Sequence, residues 1–370
     1  MKYFSMFSGI GGFEYGIQRA FDKQLTEVKQ DGQGRNGNTN QDESDVLSTS
    51  RSTPLCVGYS EIDKYAIKVY ERNFNGHKNY GNATTINAAE LPDFDLLVGG
   101  FPCQAFSIAG KRAGFDDTRG TLFFDIARIL KEKQPRHLVL ENVKGLLSHD
   151  GGRTFTTIIG VLADLGYFVE WQVLNSKDFG VPQNRERVII VGHLGGKPRR
   201  KVFPITGANG QDTRIIGQDV AYAIDANYHK GTNTLEKSRR SVVALTETRT
   251  EESKRIRRES QKQGRDFSPR RGKVLKPRAD NIGNTVTAGQ SKEHYLASGT
   301  RIRRLTPKEC ERLQGFPDDW TALDQDGQPI SDTQRYKMCG NAVTTNVIQA
   351  VISKLFAITK SDTQEKEVEV

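Results

Sequence analysis

Cys103 lies in the stretch GGFPCQAFSIAG (residues 99–110), directly after a proline at the end of an apolar run. A lone cysteine is most often a small buried hydrophobe. As a thiolate it is a soft nucleophile, favoured by a positive neighbourhood. Two other stretches could supply what such a nucleophile needs. The run LVLENV ends a second apolar segment with Glu141, and QNRERVIIVG (183–192) opens a third with Arg185 and Arg187. The two arginines are spaced by the strand period, which predicts that they face the same side. A thiol, a carboxylate and two planar cations at one sheet edge form a site for covalent catalysis, although no one of them carries that reading alone.

A second set of residues suits a nucleoside ligand. FSGIGGF (7–13) places Gly9, Gly11 and Gly12 between an expected strand and an expected helix. Such glycines turn the chain sharply and let backbone approach a ligand, with the helix N-terminus favouring negative charge behind them. A nucleoside site of this type also needs an acidic residue about 20 positions on, at the end of the next strand. Glu61 is 49 residues past Gly12; leaving out the 28 mostly polar residues 26–53 brings the separation to 21. The spacing therefore predicts a flexible insertion at 26–53 and assigns Glu61 to ribose hydroxyls rather than to the surface.

These residues need strands to present them. KYFSM, LCVGYS, FDLLVGG, RHLVLENV, FVEWQVLN and RERVIIVGHL read as strands, and helical patterns follow several of them. Strands alternating with helices predict an α/β fold with a Rossmann-like, mostly parallel sheet covered on both faces. After residue 192 the rhythm fails. Residues 193–300 hold 22 Lys and Arg against 11 Asp and Glu, a balance of +11 in a chain of net charge +9. A localised positive excess suits a polyanion such as nucleic acid, or simply a solvated charge-rich insert. Helical patterns return in TPKECERLQGF (306–316) and GNAVTTNVIQAVISKLFAI (340–358), and the tail 359–370 reads as frayed. The expected domains are thus 1–192 with 301–358, and 193–300 as a smaller basic one. The four cysteines are scattered, so no zinc site or other metal centre is expected. No apolar run is expected to span a bilayer, and the N-terminus breaks into glycines too early for a signal peptide, which predicts a cytoplasmic protein.

In order and in sequence these stretches resemble the DNA cytosine-C5 methyltransferase family. FSGIGGFEYGI resembles its S-adenosylmethionine loop, GGFPCQAFSIAG its Pro-Cys motif, ENVKGLL its Glu-Asn-Val motif and QNRERVIIVG its arginine motif. RRLTPKECERLQGFPDDW (303–320) and GNAVTTNVI (340–348) resemble its closing motifs. The resemblance implies a flipped-out cytosine, attacked at C6 by Cys103, held at N3 by Glu141 and positioned by Arg185 and Arg187. For the cofactor it implies contacts from Phe7, Gly9, Ile10, Gly11 and Gly12, with Glu61 on the ribose, Pro102 shaping the turn beside it, and Asn341 and Val343 closing the pocket. Many members have Gly-Asp where this chain has Gly81-Asn82, so Asn82 would reach the adenine amino group without a charge. Asn341 also reads as the N-cap of the last helix.

The same resemblance makes the loop after Cys103 a DNA-closing loop, with Gln104, Ser107, Lys111 and Arg112 as groove or phosphate contacts. It makes 193–300 the target-recognition domain, ended by GNTVTAG (283–289), whose Thr285 and Thr287 would meet the DNA backbone. The expected cofactor is S-adenosylmethionine, released as S-adenosylhomocysteine, with no metal. The expected partner is double-stranded DNA, bound by a monomer without a membrane, with a cognate restriction endonuclease as a further partner. Two alternatives remain at this level: a relative that methylates a tRNA cytosine, and a DNA-binding paralogue without activity.

Overall fold

The computed structural model describes residues 1–33, 53–102, 122–195, 201–207, 242–263, 273–277, 295–298 and 301–368. Strand β1 (Lys2–Met6) leads into helix α1 (Gly12–Gln33). Then come β2 (Leu55–Ser60), α2 (Lys64–Asn73), β3 (Leu96–Gly100), α3 (Leu122–Lys133) and β4 (His137–Val143). Helix α4 (Arg153–Asp164), β5 (Tyr167–Asn175) and β6 (Glu186–Leu194) complete the layer. The sheet order is β2-β1-β3-β4-β6-β5. The first four strands are parallel neighbours, whereas β6 runs antiparallel to both β4 and β5.

The strand sequences explain why both faces are covered. In β4, Leu138 and Leu140 face the α3–α4 side with Phe123, Ile126 and Ile158, while Val139 faces the other side. That other side is closed by α1 and by α8 (Thr345–Val368), whose Val347, Ile348, Val351, Ile352 and Leu355 are buried. A sheet buried on both faces reads as near-continuous apolar runs, as β3 and β4 do. Helix α2 starts where Asp63 Oδ1 accepts from the Tyr65 and Ala66 N–H groups.

The remaining described strands form a separate antiparallel sheet of order β10-β9-β7-β8. It comprises β7 (Val242–Arg249), β8 (Lys273–Pro277), β9 (Tyr295–Ser298) and β10 (Arg301–Arg304). The basic stretch after β7 is helix α5 (Glu251–Lys262), capped by Thr250. Helices α6 (Pro307–Leu313) and α7 (Asp332–Asn341) lead into α8.

Several sequence expectations change here. Helix α1 runs to Gln33, so residues 26–33 of the expected flexible insertion are helical; residues 34–52 lie outside the described ones. The first layer reaches beyond residue 192: Val202, Phe203 and Ile205 are buried in its core. The tail is helical as far as Val368 rather than frayed from 359. Asp332–Thr359 is long and apolar enough to cross a membrane, contrary to the sequence reading, but 56% of its apolar window is buried in the protein. It behaves as core helix, broken at Ala342–Thr344 between α7 and α8.

Candidate active site

The carboxyl edge of the sheet collects the predicted residues. Strands β1 to β4 deliver their last residues there, and antiparallel β6 delivers its first. This reversal explains how Arg187, at the start of a strand, meets Glu141, near the end of another. Arg187 Nε lies 2.9 Å from Glu141 Oε1, with both side chains largely buried. Glu141 pairs in register with Gly100 of β3, and a Cβ on Gly100 would stand 3.4 Å from Glu141 Oε2. The second carboxylate oxygen therefore faces the strand end that runs on through Phe101 and Pro102. Asn142 fixes that strand end by donating from Nδ2 to the Phe101 carbonyl at 2.9 Å. Cys103 and the loop residues Gln104, Ser107, Lys111 and Arg112 lie outside the described residues, as do Thr285 and Thr287.

A small recess beside this pair is lined by Glu141, Arg187, Ser176, Val343 and Thr344, with Leu174 and Ile189 on its apolar side. Arg185 departs from its expected role. Its guanidinium is buried and donates to the carbonyls of Ala342 (2.8 Å) and Gly340 (3.4 Å). Burial first, then the neighbouring Arg187, pull it down to about 9, against the attraction of Glu141. It holds the turn between α7 and α8, and through that turn places Val343. The sequence signal for both arginines was the same strand period; the structure gives one to the carboxylate and the other to backbone.

The glycine loop is held by its neighbours. Gly9 N–H donates to Glu61 Oε2 at 2.8 Å, and Trp320 Nε1–H donates to the Ile10 carbonyl at 2.9 Å. Gly12 approaches the α7–α8 turn so closely that a Cβ would stand 2.7 Å from Val343 Cγ2. Phe7 sits at φ +56°, a strained value for a bulky residue and a frequent sign of a functional constraint. Gly9 also has positive φ (+55°), yet a Cβ there would meet nothing within 4 Å, which leaves room above the loop. Glu61 Oε1 accepts from the Ile62 and Asp63 N–H groups, both at 2.8 Å. A carboxylate has about four acceptor positions, so with three used one remains for a ribose hydroxyl. The open loop and this spare acceptor fit a nucleoside cofactor.

Asn82 caps a short 3-10 turn, its Oδ1 accepting from Thr84 N–H at 3.1 Å. Asn341 is not the N-cap of the last helix. It is exposed and ends α7, and Ile348 N–H donates to the Thr344 carbonyl at the start of α8. The Thr344 hydroxyl itself bonds Ser176 and Gln314. Sequence reasoning missed the residues that join these parts. Asn79 takes the Gly81 and Glu61 N–H groups on Oδ1 and donates to the Glu61 carbonyl. Buried Gln183 donates to the Leu313 carbonyl, and buried Gln314 to the Cys339 carbonyl. Their amide side chains were the only signal for them, and an amide does not name a partner.

A glycine loop, an acidic residue just past the end of the next strand and an acid–guanidinium pair, all at the carboxyl edge of a doubly wound sheet, define a nucleoside-binding α/β enzyme. Comparison with known proteins narrows the class. The family model of C-5 cytosine-specific DNA methylases matches residues 1–357. The chain is 40% identical over 313 residues to Type II methyltransferase M1.ScrFI of Lactococcus lactis subsp. cremoris, covering 81% of this chain and 71% of the relative. It is 36% identical to Type II methyltransferase M.NlaX of Neisseria lactamica, covering 96% of both chains. The crystal structure of the S. pombe Dnmt2 methyltransferase superposes with a TM-score of 0.60 at 18% identity, covering 96% of this chain and 98% of that one, and agrees in fold. The chain belongs to the C-5 cytosine-specific DNA methylase family and is an S-adenosylmethionine-dependent enzyme of DNA cytosine methylation.

Proposed function

We propose that the chain methylates C5 of a cytosine flipped out of duplex DNA through a covalent adduct with Cys103. The observation that carries this reading is the Glu141–Arg187 pair beside the strand end leading to Pro102 and Cys103. Cytosine is a poor carbon nucleophile, so a soft attacker must first break its conjugation. The Cys103 thiolate bonds to C6, and the displaced electron pair is drawn toward C5 while Glu141 supports protonation at N3. Arg187 keeps the carboxylate oriented through Oε1 and leaves Oε2 for the base. S-adenosylmethionine supplies the electrophilic methyl group and leaves as S-adenosylhomocysteine. Loss of the C5 proton to solvent then expels Cys103 as thiolate, and N3 returns its proton to Glu141, which restores the ring. Glu61, Phe7 and the Gly9–Gly12 loop hold the cofactor, with Ile10, Asn82 and Val343 around it. Pro102 shapes the turn, and Asn341 flanks the site from α7. These steps use no metal.

The basic residues 193–300 act as the target-recognition domain, with Gln104, Ser107, Lys111, Arg112, Thr285 and Thr287 on the DNA. The enzyme works as a monomer in the cytoplasm alongside a restriction endonuclease of the same specificity.

Tritiated S-adenosylmethionine offered with duplex DNA and with tRNA tests the substrate: label is expected in DNA, and label confined to tRNA would sink the reading. Cys103→Ser is expected to abolish turnover and the trapped adduct on 5-fluorocytosine DNA, and normal turnover would remove Cys103 as nucleophile.

A further inference from the structure

Glu14 stands in the first turn of α1, two residues past Gly12, and is buried. Its Oε1 accepts from the Tyr70 hydroxyl at 3.1 Å. The Tyr70 oxygen in turn lies 3.0 Å from His77 Nδ1, and His77 is only half-buried. The three groups form a chain from the base of the cofactor loop toward solvent. The reaction proposed above does not use it.

The chain can carry a proton in either arrangement without moving a heavy atom. With Glu14 ionised, His77 Nδ1–H donates to Tyr70, whose O–H donates to Glu14. With Glu14 protonated, the acid donates to Tyr70, whose O–H turns to His77 Nδ1. Passing from the second arrangement to the first moves one proton from Glu14 to Tyr70 and one from Tyr70 to Nδ1. His77 then releases its Nε2 proton to water, so one proton leaves for each charge gained.

The other titratable groups facing Glu14 come from three elements and a turn. They are Tyr3 on β1, Cys56 and Tyr59 on β2, Tyr70 on α2, and Glu61 beside Gly9. Burial pushes the Cys56 thiol up to about 12 and all three tyrosines well above their usual range, so these four stay neutral. Burial also pulls His77 down. Burial raises Glu14 to about 7; the Ser5 and Tyr70 hydroxyls and its own N–H oppose this, and Glu61 adds to it. Glu14 is therefore the group in this cluster poised to change charge near neutrality.

We propose that Glu14, Tyr70 and His77 form a proton relay linked to cofactor charge: binding of the cationic sulfonium cofactor at the Gly9–Gly12 loop releases the Glu14 proton, and the neutral sulfide product does not. The inference rests on the cofactor assignment above. Cofactor affinity then rises with pH through the titration of Glu14, because the free protein binds the extra proton. The ratio of product to cofactor dissociation constants is expected to rise about tenfold between pH 6 and pH 8.

Calorimetric titration of the full chain with S-adenosylmethionine and with S-adenosylhomocysteine, at pH 7 in phosphate and in Tris, counts the protons. The cofactor is expected to release about half a proton more than the product. Glu14→Gln is expected to bind both compounds and to erase that difference. Equal release by the two compounds in the unsubstituted protein would overturn the proposal, whatever the variant does. So would an unchanged difference in a folded Glu14→Gln. Failure of both compounds to bind the unsubstituted protein would overturn the cofactor assignment and the relay together, and is distinct from binding without differential release.

Discussion

Strand β6 carries a carboxylate pair at each end, and the two differ in what they leave open. At its start Arg187 meets Glu141 of β4; at its end His193 Nε2 lies 3.1 Å from Glu170 Oε1 of β5. Both oxygens of Glu170 have protein partners. Its Oε1 also accepts from Val202 N–H at 2.9 Å and its Oε2 from Phe203 N–H at 3.2 Å, so it straps residues 201–207 onto the sheet. Glu141 has one oxygen on Arg187 and the other facing the end of β3. Both carboxylates are 9% exposed, so burial does not separate them. Satisfaction does: a buried carboxylate with protein partners on both oxygens stabilises the fold, and one with an oxygen to spare can serve a ligand.

Isosteric substitution at the two ends is the strongest way to break that contrast. Glu141→Gln is expected to lower turnover by about a thousandfold, since it removes the carboxyl group that supports protonation at N3 of the base. Its unfolding midpoint should stay close to that of the unsubstituted protein. Glu170→Gln is expected to do the reverse, costing about 2–3 kcal/mol in denaturant unfolding with turnover at pH 7 retained. If the two variants lost activity and stability in parallel, the distinction between a working end and a structural end would not hold.

The two arginines sharpen the same contrast within the site. Arg185→Met leaves the Gly340 and Ala342 carbonyls without their donor and should cost about 2 kcal/mol of stability. It should act mainly on the cofactor KM, because Val343 in that turn packs on Gly12. Arg187→Met should act mainly on kcat, through Glu141. Steady-state kinetics separate the two, and a kcat loss as large for Arg185→Met as for Arg187→Met would return Arg185 to the chemistry.

Much of this was legible in the residues. The glycine loop, Glu61 at its corrected spacing, Glu141 and Arg187 all lie on the edge where the strand alternation put them. What the sequence could not show was direction and partnership. Periodicity is the same for parallel and antiparallel strands, so the reversal of β6 that joins Arg187 to Glu141 left no mark. Arg185 and Arg187 share one motif and one period, yet the partner of Arg185 lies 155 residues away at Gly340. Asn341 looked like a cap because Asn is a good one, but tertiary packing starts α8 at Thr345. The polar stretch 26–33 holds a single apolar residue, Val28, and helix α1 continues through it all the same.

The structural end of β6 also predicts a pH dependence that the working end should not share. His137 Nδ1 lies 3.2 Å from His193 Nδ1. Burial first, then His193 and Arg136, push His137 down to about 4, while Asp95 opposes them. In the unfolded chain it titrates near its ordinary 6.5. Between those two values the unfolded state binds more protons, so its contribution to stability is complete above pH 6.5 and is lost as pH falls toward 4. Allowing for its partial exposure, the loss is about 2 kcal/mol. His137→Gln should flatten the fall in unfolding free energy across this window while leaving turnover at pH 7 in place. A fall of unchanged steepness in that variant would move the acid sensitivity away from this end of the strand.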